Sequence, residues 1–96
     1  MTYLTDSNFD TEVSQKVPHA IVLFAPDWSI HGNKIAVLLE ALDPARVKVF
    51  RVDIDIATDV AMRFSIRESP TLIYFANGIA MERDTTLSDK ILVLLK

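Results

Sequence analysis

The sequence predicts one α/β domain spanning residues 1–96, a mixed central sheet of about five strands flanked by four helices. Three observations carry this expectation. Strand-like and helix-like segments alternate in the first two thirds of the chain. Ala20-Ile21-Val22-Leu23-Phe24 is a continuous apolar run, the pattern of a central strand covered on both faces. Asn77-Gly78 sits between two strand-like runs and is the strongest two-residue hairpin signal in the chain.

In order, Thr2 to Leu4 reads as a short first strand. Thr5-Asp6-Ser7-Asn8 then offers side-chain oxygens to cap a helix running to about Gln15, with Phe9 and Val13 on one face. Pro18-His19 interrupts the pattern before the apolar strand Ala20 to Phe24. Ala25-Pro26-Asp27 turns the chain. From Ser29 the apolar residues Ile35, Leu38, Leu39 and Leu42 recur at helical spacing until Asp43-Pro44 stops them.

Val47 to about Ile54 reads as the next strand and Asp59 to Phe64 as a short helix. The strand-helix-strand order implies a parallel pair with a right-handed crossover. Thr71 to Phe75 and Ile79 to about Arg83 form the expected hairpin, and Ser88 is placed to cap a last helix, Asp89 to Lys96.

Composition narrows function. With 96 residues, half of them apolar, the chain can build one core and no second domain. Its net charge of −3, with both signs interspersed, gives no electrostatic reason to approach nucleic acid or an anionic membrane. The chain has no cysteine, which removes disulfides, thiolate metal sites and a cysteine nucleophile together. No apolar run approaches the ~20 residues that cross a bilayer, and the polar start has no leader pattern, so a cytoplasmic protein is expected.

Thr5 to Asp10, Trp28 at a strand-to-helix turn, Val52 to Asp55, Arg67-Glu68-Ser69-Pro70-Thr71-Leu72 and Phe75 to Gly78 together resemble the thioredoxins over nearly the whole chain. The resemblance implies the thioredoxin fold. It also aligns Trp28-Ser29-Ile30-His31-Gly32 with the family's tryptophan and the two-cysteine motif that follows, so Ser29 and Gly32 stand where the cysteines would be. A serine hydroxyl ionises far too weakly to replace a thiolate, and glycine has no side chain to resolve a mixed disulfide. The resemblance further assigns the family's buried strand aspartate to Val22 and its neighbouring lysine to Arg51, and it finds no counterpart within Ile79 to Thr86 for the family's last-strand glycine. Ser69-Pro70 match the family's cis-proline pair, whose first residue offers backbone hydrogen bonds to an extended substrate.

The expected function is therefore a redox-inactive binding module of chaperone or assembly type. Its partner is a protein or peptide client met by Trp28, Ser29, Ile30, His31, Ser69 and Pro70, with no cofactor and no metal. The alternative is a structural subunit that associates, with a partner or with itself, through a last helix whose Ile91-Leu92-Val93-Leu94-Leu95 is apolar nearly all round. If Ile91, Leu94 and Leu95 face the sheet, Leu92 and Val93 face outward as a second interface.

Bland readings stand beside the sharp ones. Ser29 is far better explained as a helix cap than as a nucleophile served by His31, because residues two apart do not face each other on a helix. His19 and His31 read as solvated histidines, too few for a metal site. Asp53, Asp55 and Asp59 lack the glycine and terminal glutamate of a calcium loop. Asp27 reads as an exposed turn residue.

Overall fold

The computed structural model describes residues 1–95. Strands β1 (Thr2–Leu4), β2 (Ala20–Phe24), β3 (Lys48–Val52), β4 (Thr71–Ala76) and β5 (Ile79–Asp84) form one sheet in the order β1-β3-β2-β4-β5. The β1/β3 and β3/β2 pairs are parallel, while β2/β4 and β4/β5 are antiparallel. Helices α1 (Phe9–Glu12), α2 (Ile30–Glu40), α3 (Thr58–Arg63) and α4 (Asp89–Leu92) complete the fold, and a 3-10 turn, Val93–Leu95, extends α4. Among the described residues, no helix is long and apolar enough to cross a membrane. The mixed five-stranded sheet with four helices is the architecture expected from sequence.

The pleat of the strands sorts the core into two layers. Ala20, Val22 and Phe24 of β2, Phe50 and Val52 of β3, and Ile73 and Phe75 of β4 pack with Phe9 of α1 and Val60 of α3. Ile21, Leu23, Ala25, Leu72 and Tyr74 point the other way and pack with Ile35 and Leu39 of α2 and Ile91 of α4. All five phenylalanines belong to the first layer, where Phe9, Phe64 and Phe75 meet with ring centroids 5.3–5.8 Å apart.

Local details refine the expected boundaries. Helix α1 stops at Glu12 rather than near Gln15, and its N-cap Asn8 makes no side-chain cap bond. Asn8 Oδ1 instead accepts from the Thr5 N–H at 2.7 Å, closing the turn before the helix. Asp6 caps a helix distant in sequence, accepting from the Val60 N–H of α3 at 2.9 Å. At the far end of α3, Ser65 takes a left-handed conformation (φ 52°) and the Ile66 N–H returns to the Ala61 carbonyl, a Schellman closure usually made with glycine.

Asn77 and Gly78 both have positive φ, as the hairpin signal requires. A Cβ on Gly78 would lie 3.0 Å from the Ser14 carbonyl carbon.

The last helix departs from expectation. Ser88 makes no cap bond; its hydroxyl donates to Asp84 Oδ2 at 2.5 Å. Regular helix ends at Leu92, and the tighter 3-10 turn shifts the phase of the residues that follow. Leu94 is consequently exposed instead of facing the sheet, Leu92 is half-buried instead of facing outward, and Val93 is exposed as expected. Lys96 lies outside the described residues.

Candidate functional site

The turn from β2 into α2 is held from several directions. Ser29 caps α2, its Oγ accepting from the Gly32 N–H at 3.0 Å, and it is 8% exposed. The buried Arg51 donates from Nη2 to the Pro26 carbonyl at 2.8 Å, its guanidinium 5.7 Å from the centroid of the Tyr3 ring. Asp53 accepts the Asp27 N–H on Oδ2 at 3.2 Å and the Asp55 N–H on Oδ1 at 2.9 Å. The Tyr3 hydroxyl donates to Asp27 Oδ1 at 2.5 Å, and this bond, with partial burial, holds the phenol above its ordinary pKa. Asp27, read as a simple exposed turn residue, is thus a tether between the turn and β1.

Trp28 stands on this braced turn, 75% exposed, with its indole N–H donating to Asp55 Oδ2 at 2.9 Å. Ile30 is likewise exposed. The carboxylates of Asp53 and Asp55 are thus spent on backbone and indole donors, and no group of three metal-ligating side chains occurs among the described residues.

Beneath α2 the chemistry is apolar. A Cβ on Gly32 would come within 2.6 Å of the Ala25 Cβ, so the space a second cysteine needs is already filled. Val22 does not lie there, because the pleat turns it toward α1 and α3. The neighbour of Arg51 across the parallel ladder is Leu23, which shares the α2 layer with Ala25. The position the resemblance assigned to Val22 therefore falls to Leu23, and the absence of a buried acid beneath the motif is unchanged.

A groove of about 530 Å³ runs between α2, the Ser69-Pro70 loop and the segment after β5. It brings together His31, Ser69 and Pro70 from the expected set and adds Lys34, Leu38, Glu68, Thr85 and Thr86. Trp28, Ser29 and Ile30 do not line it; Trp28 and Ile30 project from the turn, and Ser29 is buried at the cap. The Ser69-Pro70 peptide bond is cis, as the resemblance implied. Among the described residues, no hydrogen bond uses the exposed Ser69 backbone N–H or C=O.

Leu38 and Lys34 had a legible signal, their helical spacing from His31 and Ile35. Thr85 and Thr86 had none, because only the return of the chain after the hairpin brings them over Pro70. His19 is far from this site, half-buried with Nδ1 2.6 Å from the Tyr74 hydroxyl, and is not the freely solvated residue expected.

Comparison with known proteins agrees with this geometry. The family described as Thioredoxin matches residues 1–92. Thioredoxin C-2 of Corynebacterium nephridii is 32% identical over 77 residues, covering 77% of this chain and 71% of that protein. A thioredoxin of Chlamydia trachomatis is 29% identical over 89 residues, covering 91% and 85%. The solved structure of Fasciola hepatica thioredoxin superposes with a TM-score of 0.80 at 23% identity, over 98% of this chain and 94% of that one.

Proposed function

This chain belongs to the thioredoxin family but has no cysteine for dithiol exchange, and from that premise we propose that it is a binding module that holds an extended segment of a client protein. The supporting observation is the groove itself. One wall is the Ser69 backbone, whose donor and acceptor have no partner among the described residues, and the opposite wall is α2 with the apolar Leu38. An extended peptide pairs its main chain with such an edge and sets a side chain in the groove, a mode that needs no reactive group. His31, Lys34 and Glu68 give the rim polar contacts of both signs. A chaperone or assembly role for a particular client would suit binding without turnover.

The competing reading, a structural subunit held through its last helix, is supported by the exposed Val93 and Leu94. Affinity capture from the source organism's own lysate separates the two readings, with Leu38→Asp and Val93→Asp variants checked for folding. Loss of a specific partner in the Leu38 variant alone is the expected result. Loss in the Val93 variant alone would transfer the function to the last helix and refute the groove.

A further inference from the structure

The end of the sheet opposite the motif turn carries a second concavity, of about 210 Å³, between the segment entering β2 and the turn entering β3. Pro18 and Pro44 stiffen its walls, and its ionisable side chains are Lys16, His19, Arg46 and Lys48. No carboxylate lines it. That is uneven for a chain with 13 acidic and 10 basic residues. The ion pairs among the described residues are the Met1 amine with Glu40, Arg63 with Asp10 and Lys90 with Glu82, so Lys16, Arg46 and Lys48 belong to none of them. Asp43 is nearest along the chain, but it is not on the wall and its Oδ1 is engaged by the Ala45 N–H at 2.9 Å.

The pocket is also tied to the core. The Lys48 N–H donates to the His19 carbonyl at 3.0 Å, joining the two basic segments at the start of the parallel β2/β3 ladder. Burial raises the Tyr74 hydroxyl above its ordinary pKa, so it is protonated at neutral pH. His19 Nδ1 lies 2.6 Å from the Tyr74 hydroxyl, which ties the imidazole to the core and sets it on the same wall as the three cations. Gathered like charges repel, and an anion among them removes that cost.

Size narrows the anion. The volume falls short of the ~300 Å³ at which pockets for larger organic ligands begin. An arginine fork beside two lysine ammonium groups suits the several oxygens of a tetrahedral oxyanion.

We propose that this pocket binds a phosphoryl oxyanion, as free phosphate or as the phosphate of a small monoester, through Lys16, His19, Arg46 and Lys48. Titration of the full chain near neutral pH, followed by amide chemical shifts, tests it with potassium phosphate and glycerol 3-phosphate as probes and potassium chloride at matched ionic strength as control. Saturable shifts confined to residues 16–19 and 44–48 and absent with chloride are expected. Arg46→Gln and Lys48→Gln should each weaken binding at least about fivefold, while Arg63→Gln, a cation paired with Asp10, should not.

Arg46 and Lys48 are exposed, so these variants keep the fold, which thermal melting checks. Saturation by both probes makes the phosphate group sufficient; saturation by the monoester alone makes the ligand an ester. Failure of both probes to saturate, reproduction of the shifts by chloride, or undiminished binding by Arg46→Gln overturns the proposal.

Discussion

The two layers on either side of the sheet divide the work of this molecule. The layer under α1 and α3 holds all five phenylalanines, and Phe9, Phe24 and Phe75 each meet Phe64. The layer under α2 and α4 is aliphatic apart from Tyr74, and it carries the motif turn, the groove and the exposed Val37, Leu38, Val93 and Leu94. Ser29 and Gly32, which stand at the motif positions, lie on the second side, at the start of α2. Neither layer relies on a thiol, so apolar packing on both sides of the sheet holds the fold without the cysteines.

The sharpest way to break this comparison is truncation within the phenylalanine layer. Phe75→Ala should cost about 3–5 kcal/mol, because Phe75 is fully buried against Phe9 and Phe64. Val37→Ala on the exposed face of α2 should stay within about 0.5 kcal/mol. Urea unfolding of both variants measures the contrast, and equal costs would mean that Phe75 does not anchor the aromatic layer.

Next in size is the former cysteine position. Gly32→Ala gains ~1 kcal/mol of helix propensity but forces a contact with the rigid Ala25 Cβ, and overpacking of this kind costs about 1–3 kcal/mol. The variant should therefore be less stable than the unmodified chain. Ala25→Gly in the same background should restore it, so a double-mutant cycle should show favourable coupling. Additive effects would mean that Ala25 does not guard the site.

Ser29→Ala removes the cap bond to the Gly32 N–H and should cost about 1 kcal/mol. Urea unfolding measures that cost, and unchanged stability would mean that the Ser29 hydroxyl does not hold the start of α2. The unmodified protein should reduce insulin with dithiothreitol no faster than background.

The smallest effect is alkaline. The hydrogen bond to Asp27 raises the Tyr3 pKa, so the native state favours the protonated phenol more than the unfolded chain does. Its contribution is present in full below the unfolded value near pH ~10 and is lost as pH rises through the higher folded value. Tyr3→Phe should remove that loss, read as a shallower fall of the urea midpoint above pH ~10. Tyr3 is partly exposed, so the difference should be small.

Much of the fold was legible because its signals are local. The apolar run of β2 and the Asn77-Gly78 turn each state their conformation within a few residues, whereas α2 ends at Glu40, ahead of the expected stop at Asp43-Pro44. The caps were less so. Ser29 capped its own helix as expected, whereas Asp6 serves α3 and Ser88 serves Asp84, because a side-chain oxygen takes whichever donor or acceptor the fold brings near. At the site, His31, Ser69 and Pro70 meet in one groove, but Trp28 turns out to be held by Asp55 outside it.

The sequence by itself determined that this chain has the family's fold and none of its dithiol chemistry, since both follow from residue type and order along the chain. Tertiary structure alone decided what replaced that chemistry. Ala25 filling the space beside Gly32, Leu23 rather than Val22 beside Arg51, and Thr85 and Thr86 closing the groove are contacts between segments far apart in sequence or set by the pleat. Their geometry exists only once sheet register and helix docking have placed those segments together.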